Sequence, residues 1–148
     1  MRDEMSTEPR CDPLPSARPA GAVMRVGRVD GASLTTVFDV ALVADAACPT
    51  AILTPSPACV KLTGEAMDYV WAKLVAVAPH RIAMEGHGEC IHCGGSWIAI
   101  EWPRGRCERG SDHFHDVADA SQDRFDRAVQ ALTVAASAGG IEATAPIR

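Results

Sequence analysis

The residues best suited to chemistry crowd one stretch, Gly86 to His115, which reads GHGECIHCGGSWIAIEWPRGRCERGSDHFH. It holds three of the six cysteines, Cys90, Cys93 and Cys107, and four of the five histidines, His87, His92, His113 and His115. Thiolate and imidazole are the ligands Zn²⁺ takes in closed sites, about four of them in a tetrahedron. Two thiolates two residues apart reach one ion when the backbone turns tightly between them. Gly94-Gly95, just beyond Cys93, permits positive φ and lets backbone N–H groups approach the sulfurs. Cys107 and His113 then complete a C-x2-C-x13-C-x5-H set. His115 is the alternative fourth ligand, because residues two apart in an extended segment share a face. The expectation is one structural zinc ion at Cys90, Cys93, Cys107 and His113, with His92 pointing outward and His87 in the approach loop.

The run Cys90-x-x-Cys93-Gly94 resembles the knuckle of zinc-ribbon proteins. That resemblance covers about 25 residues and implies a metal-pinned hairpin within residues 86–115. A ribbon would supply a second CxxC, where this chain has Cys107 and then histidines. Two catalytic patterns also come near. Asp112-His113-Phe114-His115 is similar to the Asp-His-x-His stretch of the endonuclease VII branch of His-Asn-His nucleases. Membership there implies His113 as general base beside a divalent ion. Against it, no CxxC or downstream Asn follows, and the Asp-rich segment that begins at once would repel a phosphate backbone. His87-Gly88-Glu89 resembles half of a deaminase signature, whose CxxC half must come from a separate helix and not from the adjoining turn. No H-E-x-x-H or G-x-S-x-G occurs.

A closed metal site would contribute folding energy and present a rigid loop. Around Cys107, Arg104, Arg106 and Arg109 face only Glu108, and Trp102 lies just before them. These four residues are the candidate contacts for nucleic acid or an acidic partner. The simpler reading is a solvated loop, since three arginines make a small footprint. The expected function is a zinc-stabilised, non-enzymatic interaction or regulatory module that binds a protein partner. Its bias toward Arg and Ala suggests a bacterial or phage source, with a phage or mobile-element accessory role. A nucleic-acid-binding zinc module and a degenerate His-Asn-His-type nuclease are the alternatives.

The elements that must position these residues follow from pattern. The chain has 148 residues, 47% hydrophobic and 22% charged, which suits one globular domain. Fourteen Lys+Arg against nineteen Asp+Glu give a net charge of −5, which excludes a uniformly basic coat for nucleic acid. No apolar run approaches the roughly 18 residues of a membrane span. The first residues also lack the apolar stretch of a signal peptide. The expected compartment is the cytoplasm, where thiols stay reduced. Four prolines within residues 1–21 predict a disordered leader, followed by a domain over 22–140 and a loose tail over 141–148. Asp30-Gly31 predicts a hairpin between Ala22–Val29 and Ser33–Val43. A short strand is expected at Ala51–Leu53. Thr63 and Pro79 bracket a helix over Gly64–Ala78. Strands are expected at Arg81–Glu85 and Ser96–Trp102, and a second helix over Val117–Ala138 with a solvated acidic face. The predicted fold is α+β: a small antiparallel sheet, two packed helices and a zinc-knuckle hairpin.

Overall fold

The computed structural model describes residues 8–31, 35–49, 58–88, 94–112 and 114–138. Alternation of apolar and polar side chains builds the central strand, β1 (Val23–Asp30), which pairs antiparallel with β2 (Thr35–Val43) and β5 (Gly95–Trp102). Met24, Val26, Phe38, Val40, Leu42, Ile98 and Ile100 fall on one face of these three strands and are buried. Ala41 and Val43, on the opposite face, are also fully buried, so the far end of β2 is covered on both sides. β3 (Ala58–Lys61) pairs with β2 and β6 (Gly105–Gly110) with β5, giving the five-stranded order β3-β2-β1-β5-β6. The β2–β3 pairing is parallel, so the sheet is mixed and not wholly antiparallel. A two-stranded sheet pairs β4 (Met84–Gly86) with β7 (His115–Val117).

Helix α1 (Gly64–Val77) begins where expected, with the Thr63 hydroxyl accepting from the Ala66 N–H at 3.1 Å. Its buried stripe is Met67, Val70, Trp71, Leu74 and Val77. It ends at Ala78, whose N–H still bonds the carbonyls of Leu74 and Val75 and whose left-handed φ of 57° turns the chain out of the helix. Pro79 then starts a single 3₁₀ turn, so the strand expected at Arg81–Glu85 starts later and ends one residue further on, as Met84–Gly86. Helix α2 (Gln122–Ala138) starts later than predicted, because β7 and a 3₁₀ turn at Asp119–Ser121 occupy its expected first residues. Phe125, Ala128, Leu132 and Ala136 are its buried stripe. Trp71 of α1 meets Trp102 of β5 edge to face, ring centroids 5.8 Å apart. The predicted α+β class holds. The zinc-knuckle hairpin and the strand at Ala51–Leu53 both fall on or across residues outside those described. Among the described residues, no helix is long and apolar enough to cross a membrane.

Residues 8–21 lie along the domain as a strap. Cys11 forms an antiparallel bridge with Cys107 of β6, flanked by hydrogen bonds from Asp12 N–H to the Arg106 carbonyl and from Glu108 N–H to the Arg10 carbonyl. The Trp71 indole donates to the Pro15 carbonyl at 2.8 Å. Arg18 pairs with both Asp45 (2.9 Å) and Asp68 (2.8 Å). Two disulfides, Cys11–Cys107 and Cys48–Cys59, close loops of sequence separation 96 and 11. The larger loop restricts the unfolded chain more. Unfolding by urea is therefore expected to show Cys11→Ala costing about 4–5 kcal/mol and Cys48→Ala about 3 kcal/mol, the order following loop length.

The strap also carries a pH dependence. The hydrogen bond from Arg10, then that from the Arg106 N–H, holds the Asp12 carboxyl below the usual carboxylate range. Arg18, then the Gly21 N–H, does the same for Asp45. Both folded values are depressed, so their stabilisation is complete above the unfolded carboxylate pKa and is lost as pH falls through the folded values. Hydrogen-exchange protection at the Gly21 and Arg106 amides should be lower at about pH 3 than at about pH 6, beyond the change in intrinsic exchange.

Candidate functional site

The zinc expectation is corrected by the cysteine pairing. Cys107 is fully buried on the helix-facing side of β6, and its sulfur is bonded to Cys11. A disulfide sulfur is not the thiolate a zinc ion requires. Cys11, which falls in the expected disordered leader, is the partner of Cys107, and Cys48 and Cys59 are bonded to each other. Among the described residues, no group of three or more His, Cys, Asp or Glu is arranged to hold a metal ion. Cys90, Cys93, His92 and His113 lie outside those residues.

The remaining predicted residues do not converge. His115 of β7 is buried, with its Nδ1 3.2 Å from Asp112 Oδ1. That carboxylate also accepts from the Phe114 and His115 N–H groups, both at 2.7 Å, so it caps the turn entering β7. The segment that resembled a nuclease motif thus uses its acid to shape a turn.

The arginines separate by strand alternation. Arg104 is exposed in the β5–β6 turn, and Arg106 is exposed on the sheet face away from the helices. Arg109 falls on the helix-facing side and is only 7% exposed. Its guanidinium donates to the carbonyls of Ile82, Pro9 and Glu108 and pairs with Glu8 at 3.3 Å. Burial pushes its pKa down, with Glu8 opposing. Trp102 is partly buried against Trp71. These four residues present no common basic surface.

What the fold does assemble is a cleft of about 690 Å³ between α2, β7 and the sheet. Its position follows from the period of β1. Met24 and Val26 point under the helices, and Arg28, next on the same face, lies beyond their cover. Phe38 and Ser96 are its register partners on β2 and β5. Phe38, Phe125, Val117 and Val129 give the cleft an apolar lining. Around them stand four carboxylates: Glu85 of β4, Asp116 of β7, Asp119 of the 3₁₀ turn and Asp126 of α2. Among the described residues Arg28 is the single basic member of the lining, so their formal balance is −3, four acids against one base.

Asp126 accepts from Gln122 Nε2 at 2.9 Å. Asp116 faces His87 Nε2 at 3.6 Å, while the other ring nitrogen of His87 lies 2.6 Å from the Gly88 carbonyl. The acids read from sequence as a solvated face are exposed, as expected; Asp116, Asp119 and Asp126 also border this open cleft, whereas Asp123 pairs with Arg127. The signal of the cleft was present in Arg28, a charge placed in a core-facing register after Met24 and Val26.

The opposite face of the sheet carries a different cluster. Arg25 lies 5.4 Å from the Trp97 ring centroid and pairs with Asp39 at 2.6 Å. Trp97 rests on Gly27, where a Cβ would collide with the indole. Indole and guanidinium thus cover each other across the strand.

Comparison with protein-family models, with curated proteins and with solved structures returns no match.

Arg109→Ala would leave three internal carbonyls without a donor. It should cost about 2–4 kcal/mol in urea unfolding, whereas Arg106→Ala on the solvated face should stay within about 0.5 kcal/mol.

Proposed function

We propose that this chain is a non-enzymatic, disulfide-braced module that binds a protein partner through the acid-rimmed cleft. The carrying observation is the cleft itself: two buried phenyl rings and two valines lie inside a rim of four carboxylates and one arginine. Concave sites of this size with an apolar lining and a few placed charges are where ligands gain affinity. A net negative rim favours a basic segment, with lysine or arginine against Glu85, Asp116, Asp119 and Asp126 and an apolar side chain over Phe38 and Phe125. The same rim disfavours a phosphate backbone, and Arg109 is already committed inside the fold. Both points set this reading above nucleic-acid binding. The two disulfides favour an oxidising compartment over the cytoplasm expected from sequence.

The test is fluorescence anisotropy with a labelled peptide of alternating arginine and leucine, beside the same peptide with citrulline for arginine. Saturable binding of the first peptide, at least tenfold weaker for the citrulline form and for the variant Asp116→Lys/Asp126→Lys, is expected (about 1.4 kcal/mol). Equal binding of the two peptides, or no effect of the double charge reversal, would overturn the assignment.

A further inference from the structure

The strap triplet Arg10-Cys11-Asp12 repeats, in order and charge, the triplet Arg106-Cys107-Glu108 of the strand it lies on. The two run antiparallel, with Cys11 opposite Cys107. Asp12 N–H donates to the Arg106 carbonyl at 2.9 Å, and Glu108 N–H to the Arg10 carbonyl at 2.8 Å. Each flank therefore sets an acid opposite an arginine. This pattern makes Cys11 and Cys107 a narrow, non-hydrogen-bonded pair, where opposed side chains come closest.

A basic–cysteine–acidic strand is complementary to a second copy of itself. A two-fold axis through Cys107 places Arg106 opposite Glu108 of the second copy. The same axis places Arg109 opposite its Gly105 and Arg104 opposite its Gly110. Every charge from Arg104 to Arg109 then meets an opposite charge or a glycine, and no like charges oppose. β6 is also an edge of the five-stranded sheet, and the strap satisfies its outward backbone groups.

We propose that the edge of β6 is a homodimer interface, which the strap closes by imitating the second copy and the Cys11–Cys107 bond locks. The lock opens with a dithiol as reductant. One thiolate of the dithiol attacks the Cys11 sulfur and expels the Cys107 thiolate, leaving a mixed disulfide. The second thiol of the dithiol then displaces Cys11. Two electrons pass to the protein, the dithiol leaves as its own cyclic disulfide, and its two protons end on Cys11 and Cys107. Arg18 and the Trp71–Pro15 hydrogen bond keep the later strap in place, so residues 8–12 peel away as a flap. This inference is independent of the cleft.

Sedimentation velocity of the full chain tests it, with and without dithiothreitol, beside the variant Cys11→Ser. The oxidised chain should be monomeric, and the reduced chain and Cys11→Ser dimeric. Mild oxidation of Cys11→Ser should link the dimer through Cys107 to Cys107, mapped by peptide mass spectrometry. Adding Arg106→Glu to Cys11→Ser should weaken the dimer at least tenfold, and Arg106→Glu/Glu108→Arg together should restore it. If Cys11→Ser does not fold, Cys11→Val, which keeps the Cys48–Cys59 bond and an apolar side chain beside buried Cys107, carries the same two charge variants. Monomers in every folded sample, a dimer indifferent to Arg106→Glu, or a link through another cysteine would overturn the proposal.

Discussion

The alternation of β1 is the constraint on which the other layers depend. It is the middle strand, hydrogen-bonded on both sides, so its two faces set the faces of β2 and β5 through register. Met24 and Val26 commit one face to the helices, and the buried stripes of α1 and α2 join them in one core cluster. One step further along the same face, Arg28 cannot be buried without a partner. The helical cover stops short of it, and the space left is the cleft. Core and candidate site are consecutive stretches of a single strand. A shift of one residue in β1 pairing would remove both at once.

The second organising demand is the β6 edge. An exposed edge strand with unpaired backbone groups is a hazard in a soluble protein. Here the chain's own early residues cover it, held by backbone hydrogen bonds, the disulfide and Arg109. Arg109 is spent inward, on carbonyls from three separate places: the strap, the segment after α1, and β6 itself. A guanidinium suits this task because its fixed fork of donors can serve several acceptors at once. It acts as an internal clamp where residue counting pointed to a surface contact.

Legibility in the sequence followed locality. The β1–β2 hairpin, α1 and β5 each carry their signals within a few residues: Asp30-Gly31, Thr63 with Pro79, and the alternation of Ile98, Ile100 and Trp102. β6 has the sequence of a loop because its core-facing members are Cys107 and Arg109, and an arginine conceals the period. The strap's prolines exclude helix and so predict a disordered leader, and nothing local shows that its partner lies 96 residues away. The zinc expectation misses for the same reason: Cys107 pairs not with its sequence neighbours but across nearly the whole domain. The cleft was hidden because its walls come from four separate segments, and only Arg28 is anomalous within its own.

The Cys11–Cys107 closure also bears on how the chain is made. Synthesis runs from the N-terminus, so Cys11 is the first of the six cysteines to emerge and its partner is the last. Cys48 and Cys59, only 11 residues apart, are complete long before Cys107 exists. The oldest thiol must therefore remain unpaired while Cys48, Cys59, Cys90 and Cys93 pass it as competing partners. Six cysteines allow about 15 complete pairings. Correct oxidation therefore depends on β6 docking beside β5 before Cys11 is consumed. The pairing that secures the finished fold is also the one most dependent on the order of events during biosynthesis.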